Sequence, residues 1–283
     1  MTMETLKGSV LLIGYGEVGR AFGAQVEQSG SRPIYVDPMA RNIPDTATVL
    51  NTLPAEIPDT TLVLGAFPSA AARSVAQDLA TRSGAFLYVD MSSSPQGLMQ
   101  DCAAEFGNQS ARFVDAAIVG SVDLSGAKAP ILLSGPNADQ AEAALRALGF
   151  DAKALPDSKA GDACGVKLLR TLMTKGIEAL AIECFSAAAK MGLSKEICEN
   201  LSDIGVRPFP ELLDAMVRSH VIHAPRRKLE MEAAIDQAQS LGLQVPVNQS
   251  VLEVYKATSA RIEAEHPNVP MSIGQALNWL SKP

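Results

Sequence analysis

Two short stretches carry residues whose types and spacing could do chemistry. The first, "SVLLIGYGEVGRAF", holds Gly14-Tyr15-Gly16-Glu17-Val18-Gly19 directly after an apolar run and at the start of a helical one. This context suits a pyrophosphate-binding turn. Gly14 permits the tight turn, Gly16 lets the backbone approach a phosphate, and Gly19 lets helix and strand pack closely. The helix N-terminus offers free N–H groups and a partial positive charge. The plainer alternative is a glycine turn that only lets a helix pack. The next strand-like run, "RPIYVD", ends at Asp37, eighteen residues after Gly19. A carboxylate there can accept hydrogen bonds from both adenosine ribose hydroxyls and repels a 2′-phosphate, so NAD is favoured. Arg41 lies close by and leaves NADP open.

The second stretch is "GVKLLRTLMTKG", Gly165 to Gly176, a greasy helical run carrying Lys167, Arg170 and Lys175. At about 100° per residue its charges scatter around the helical wheel, and so do its apolar residues. A helix apolar on nearly all sides is expected to be buried in protein, and a lysine on it needs a partner or a wet cavity. Lys167 could snorkel to solvent or pair with a carboxylate. In a cleft it could instead act as a general base, its neutral form favoured by partial burial and by a neighbouring cation such as Arg170. Lys175, about 12 Å further along the axis, is the fallback candidate.

The elements that must position these residues follow from the pattern. Strand-like runs at Ser9–Ile13, Pro33–Val36, Thr61–Phe67, Ala85–Val89, Ala111–Val119 and Ala129–Ser134 alternate with helical spacing at Glu17–Gln28, Ser69–Thr81 and Asn137–Leu148. That alternation predicts an α/β fold with a parallel, doubly wound sheet of Rossmann type. After about residue 155 helical runs dominate: Ser158–Met191, Ser194–Leu201, Phe209–Ser219, Arg226–Leu241, Asn248–Glu265 and Ile273–Leu280. The expected organisation is a dinucleotide-binding domain over 1–155 and an all-helical substrate and oligomerisation domain over 156–283, joined by one long interdomain helix.

Composition narrows the classes. The chain has 283 residues, 47% hydrophobic and 19% charged, enough for a full core and two domains. A formal charge of −7 with no basic run argues against nucleic acid or an anionic membrane. No apolar run approaches membrane-span length, and the polar start, Met1 to Gly8, does not read as a signal peptide. Four cysteines without CxxC spacing fit a reduced, cytoplasmic protein. His220 and His223 share a helical face, but no third ligand is visible, so no metal is expected.

The chain resembles the β-hydroxyacid dehydrogenases, the group containing 3-hydroxyisobutyrate and 6-phosphogluconate dehydrogenases. Four segments carry the resemblance in order: the glycine turn; Asp90-Met91-Ser92-Ser93-Ser94-Pro95; "FVDAAIVGSVDLSGAKAPILLSG", Phe113 to Gly135; and "GDACGVKLLRT" around Lys167. "HAPRRKLEMEAAI", His223 to Ile235, is similar to a subgroup whose C-terminal helical domain is of unknown function and which is described as 6-phosphogluconate-dehydrogenase-like. The resemblance implies hydride transfer between a nicotinamide and a small hydroxy acid, with Lys167 as acid–base residue. It implies Ser92 at the nicotinamide, Ser92 and Ser93 at the substrate, and a homodimer or tetramer.

The segments also depart from the family pattern. Val119 and Ser121 replace a serine and a glycine that hold the substrate carboxylate in that family, and Arg170 and Thr171 replace two asparagines. The substrate pocket is therefore expected to be rebuilt for a different small anion. These departures also keep open a non-catalytic, NAD-binding sensor or partner-binding module. Imine reduction on the same scaffold is disfavoured, because that branch usually lacks the lysine.

Further candidates come from position. Phe67 and Pro68 end a strand and could line the nicotinamide ribose, although Ser69 could simply cap a helix. Gly120 and Ser121 could offer a backbone N–H and a hydroxyl to a carboxylate, or form an ordinary turn. Arg226 and Arg227, just after Pro225, fall at an expected helix start, where cations oppose the dipole. A contact to an anionic substrate would account for one of them.

Overall fold

A computed structural model describes residues 9–120 and 125–282. The chain divides into two compact units, one ending at Leu172 and the other beginning at Met173. This division falls within a helix rather than at residue 155. The reason is packing: Ala160, Ala163 and Cys164, at the start of that helix, belong to the core of the first unit.

The first unit is built on eight strands. These are β1 (Ser9–Ile13), β2 (Arg32–Val36), β3 (Val49–Leu50), β4 (Leu62–Gly65), β5 (Leu87–Asp90), β6 (Phe113–Ile118), β7 (Ile131–Ser134) and β8 (Ala152–Ala154), in the order β3-β2-β1-β4-β5-β6-β7-β8. The order reverses between β1 and β4, which makes their carboxyl ends the place where a doubly wound sheet forms its ligand crevice. Helices Glu17–Gln28, Ala72–Ala80, Gln96–Glu105 and Ala138–Ala147 cover the sheet. Leu12, Leu64, Val89 and Val114 pack on one face, and Leu11, Val63, Tyr88 and Phe113 on the other. Burial on both faces is why these strands read as continuous apolar runs rather than alternating ones.

One expectation needs correction. The sheet is not wholly parallel: β7 runs antiparallel to β6, and β8 follows β7. A parallel return requires a crossover packed on a face, usually a helix. Among the described residues the β6–β7 connection includes the short 3-10 turn Gly126–Lys128.

The long helix runs from Asp162 to Met191. It starts four residues later than the pattern suggests, because Gly161 turns the chain with φ of +95° and Asp162 Oδ2 accepts the Lys159 N–H at 2.8 Å. It is not buried all round. Leu169 is 68% and Leu172 75% exposed in the single chain.

In the second unit, helices Phe209–Ser240 and Pro246–Glu265 are followed by Ile273–Leu280. Phe209–Ser240 continues through Pro225, so the two separate helices expected there are one. Buried Val221 and Ala224 precede the proline, and Ile235 and Ala238 follow it. Packing on both sides offsets the backbone hydrogen bond that proline cannot donate. Glu183, itself buried, caps the Pro246 helix by accepting the N–H groups of Val247 at 2.8 Å and Asn248 at 3.0 Å. Among the described residues no helix is long and apolar enough to cross a membrane.

Candidate active site

The glycine turn behaves differently at each glycine. Gly14 has φ of +106°, and a Cβ there would lie 2.1 Å from the Ala66 carbonyl oxygen, so only glycine lets β1 and β4 end side by side. A Cβ on Gly19 would lie 2.1 Å from the Gly14 carbonyl oxygen, which is the close helix–strand packing the motif requires. At Gly16 a Cβ would meet nothing within 4 Å. Gly16 is the N-cap of the Glu17 helix, and no side chain caps it. Open space thus sits in front of backbone N–H groups that have no intrahelical acceptor, an arrangement suited to an anion. Asp37 braces the turn from β2: its Oδ2 accepts the Tyr15 N–H and its Oδ1 the Met39 N–H, both at 2.8 Å.

A cavity of about 320 Å3 opens at the carboxyl ends of β1, β4, β5 and β6. Gly16, Glu17, Val18, Phe67, Pro68, Ser92, Ser93, Gly120 and Lys167 all line it, and sequence reasoning had singled out every one. Ala66, Met91 and Ile118 complete the wall and had not been singled out. Their signal was position alone, each being an apolar residue at the end of a strand. Gly14, Tyr15 and Gly19 are buried behind the turn.

Lys167 Nζ donates a hydrogen bond to Ser93 Oγ at 2.5 Å. Burial lowers the Lys167 pKa below the ordinary lysine value, and the nearby Cys164 thiol acts in the opposite sense. The lowering comes from desolvation, one of the two expected causes; Arg170, the other, is solvent-exposed and does not contribute to it. Ser93 is held with φ of 57°, a left-handed conformation that costs a non-glycine residue about 1 kcal/mol or more. Around it, Ser92 Oγ and Ser94 Oγ lie 2.7 Å apart, and Ser94 Oγ donates to Ser69 Oγ at 2.7 Å. Neither Ser69 nor Ser94 caps a helix; Pro68 and Pro95 occupy those N-cap positions.

Other candidates lie elsewhere. Thr171 is exposed and its hydroxyl bonds back to the Lys167 carbonyl at 2.9 Å. Ser121 lies outside the described residues. Lys175 is exposed and paired with Glu178 at 2.7 Å. In the second unit, Arg226 pairs with Glu230, and Arg227 donates to Ser219 Oγ at 3.0 Å. Both arginines sit inside a continuous helix rather than at a helix start. His220 Nε2 lies 2.9 Å from Thr258 Oγ1, and its pKa is lowered by burial and by Arg227. Among the described residues no group of three or more His, Cys, Asp or Glu could hold a metal ion.

Known proteins resemble the chain in parts and as a whole. Residues 188–263 match a family described as a domain of unknown function, DUF1932. An uncharacterized 28.5 kDa protein from Methanothermus fervidus is 32% identical over 167 residues, which are 58% of this chain and 63% of that protein. The chain thus spans less than two thirds of that relative's length. The structure of the conserved protein MTH1747, itself of unknown function and described as similar to 3-hydroxyacid dehydrogenases, aligns at 24% identity. That alignment covers 90% of this chain and 98% of the other, with a TM-score of 0.58. An imine reductase from Aspergillus terreus, solved with NADPH4 and dibenz[c,e]azepine, aligns at 15% identity over 96% of this chain and 99% of the other, with a TM-score of 0.72. A Rossmann-type unit followed by a helical one is therefore a fold shared with 3-hydroxyacid dehydrogenase-like proteins and imine reductases.

Proposed function

We propose that the protein is a nicotinamide-dependent oxidoreductase that interconverts a small hydroxy acid and its keto acid or semialdehyde, with Lys167 as the acid–base group. The Lys167 Nζ–Ser93 Oγ hydrogen bond inside the crevice carries this reading. The residues present fit a dinucleotide. The uncapped helix start beside the open side of Gly16 suits a pyrophosphate. Asp37 suits the ribose hydroxyls and favours NAD over NADP. MTH1747, described as similar to 3-hydroxyacid dehydrogenases, and an imine reductase solved with NADPH4 share the fold, which supports a nicotinamide cofactor.

The bound nicotinamide would supply the hydride acceptor. This chain's residues would do the rest. Neutral Lys167 Nζ takes the proton of the substrate hydroxyl as the carbinol hydrogen leaves with its electron pair, and the ammonium returns that proton in the reverse direction. Ser92 and Ser93 orient the hydroxyl. Phe67, Met91 and Ile118 give the crevice an apolar side. Homo-oligomerisation belongs to the same reading, supported by the apolar side chains that the single chain leaves exposed on the long helix.

The test is turnover of a panel of small hydroxy acids with NAD and with NADP, followed by nicotinamide absorbance. Reduction of NAD by at least one acid, lost in Lys167→Ala, is the expected result. Tight NAD binding without turnover would replace this reading with a nucleotide-binding sensor. The likeness to imine reductases favours a second reading, reduction of a C=N bond. Oxidation of NADPH by cyclic imines but not by keto acids would select it.

A further inference from the structure

Beneath the cavity two carboxylates, Asp90 and Asp115, are fully buried, and they are register partners on β5 and β6. Burying a carboxylate costs several kcal/mol unless hydrogen bonds repay it, and an apolar pair at these places would pack without that cost. Burial does push both carboxyl groups above their ordinary pKa. The hydrogen bonds each group accepts, at Asp90 from Ser92 and Tyr88 and at Asp115 from Cys164, Ser134 and Gly161, act against that rise.

What the two groups hold is informative. Asp90 Oδ1 accepts the Ser92 N–H at 2.8 Å while its Oδ2 accepts the Tyr88 hydroxyl at 2.7 Å. The serine loop is thereby tied one residue before Ser93 and its left-handed φ. Asp115 Oδ2 accepts the Ser134 hydroxyl at 2.8 Å and the Cys164 N–H at 3.1 Å. Ser134 Oγ in turn accepts the Ala163 N–H at 2.9 Å. Ala163 and Cys164 lie in the first turn of the long helix, whose N–H groups have no intrahelical acceptor. Lys167 stands three residues after Cys164, on the same helical face. A carboxylate at this end also suits the helix dipole.

We propose that Asp90 and Asp115 are paired positioning residues, which fix the serine loop and the lysine helix from adjacent strands so that Lys167 Nζ and Ser93 Oγ stay within hydrogen-bonding distance. Neither touches the substrate. Their role rests on Lys167 being the acid–base group, and it explains why carboxylates interrupt two otherwise apolar strands. A displacement of about 1 Å at such a contact can cost about a hundredfold in rate.

The experiment compares Ser134→Ala, Asp115→Ala, Asp115→Asn and Tyr88→Phe in the full chain. Competitive acylation with acetic anhydride across pH, read by peptide mass spectrometry, gives the titration midpoint of Lys167 without requiring turnover. Ser134→Ala and Asp115→Ala should raise that midpoint towards the ordinary lysine value, by about one pH unit or a tenfold change in the neutral fraction. Both should lower kcat by about tenfold or more, with KM and the NAD dissociation constant changed by no more than about twofold. Asp115→Asn keeps an oxygen acceptor for the helix and should recover most of the loss. Tyr88→Phe should act in the same direction and less. An unmoved midpoint in folded Ser134→Ala overturns the proposal, even if Asp115→Ala does not fold; an unmoved midpoint in Tyr88→Phe removes Asp90 from it. If Lys167→Ala keeps full turnover, the acid–base reading fails, while the midpoint shift still reports whether the anchors hold the lysine.

Discussion

The two units treat their apolar residues in opposite ways. In the first, strand side chains such as Leu12, Leu64 and Val89 are wholly buried, and the polar groups among them, Asp90, Asp115 and Ser134, are each tied to a backbone or a hydroxyl. In the second, the buried clusters are small, Ile235, Ala238, Val245 and Leu252 in one and Val221, Ala276 and Trp279 in the other. Ile182, Leu229 and Val254 are exposed there. A unit with a finished core can spend polar residues on a site. A unit with an unfinished core presents surface that another copy of the chain would cover, which is the homo-oligomer proposed above.

The sharpest way to break this comparison is to remove chemistry from one unit and then from the other. Lys167→Ala should lower turnover by about a hundredfold to ten-thousandfold with NAD affinity nearly unchanged, whereas Lys175→Ala should leave turnover within about twofold. The rate of the oxidation direction should also depend on Lys167 through pH. Its pKa is lowered, so the neutral base forms at a pH below the ordinary lysine range. The rate should rise about tenfold per pH unit below that pKa and level off before the ordinary value. Lys167→Ala should lack the rising limb in a steady-state pH profile.

Assembly is the corresponding test of the second unit. Ile182→Glu combined with Leu229→Glu should weaken self-association by about a hundredfold, because each carboxylate would be desolvated in the interface. Sedimentation over a concentration series reads this. An unchanged oligomer would assign the contact to other surfaces.

Two smaller effects sharpen the contrast within each unit. Gly14→Ala should destabilise the first unit by about 2–4 kcal/mol, since the new methyl group meets a backbone oxygen. Gly16→Ala, facing open space, should leave the melting temperature alone and weaken NAD instead. Glu183→Ala should cost about 1–2 kcal/mol by uncapping the Pro246 helix, seen as faster amide exchange at Val247 and Asn248.

The α/β character, the glycine turn and nine of the twelve cavity-lining residues were legible because each is a local signal: glycines at fixed spacing, serines at a strand end, a lysine on an apolar helix. What escaped depends on contacts between distant parts of the chain. The reversal at β7 was missed because an apolar strand carries no mark of its direction. The helix through Pro225 was missed because proline reads as a breaker unless its packing is known. The exposure of Leu169 and Leu172 was misread because an all-round apolar helix looks the same whether its own chain covers it or another copy does. Asp90 and Asp115 were visible as motif letters, but the partners of Asp115, Ser134 and Cys164, lie 19 and 49 positions away.

The reversal at β7 has a consequence for how this scaffold can change. Because β6 and β7 are antiparallel neighbours, the chain passes from one to the other at the end of the sheet where Ile118 and Gly120 line the cavity. A crossover helix in that place would be locked into the packing of a sheet face. A return loop can gain or lose residues at an entropic cost that grows only with the logarithm of its length, about 0.6 kcal/mol per doubling. A change of length in this connection would therefore alter one edge of the cavity, beside Ile118 and Gly120, while the glycine turn, the serine loop and the lysine helix stay as they are.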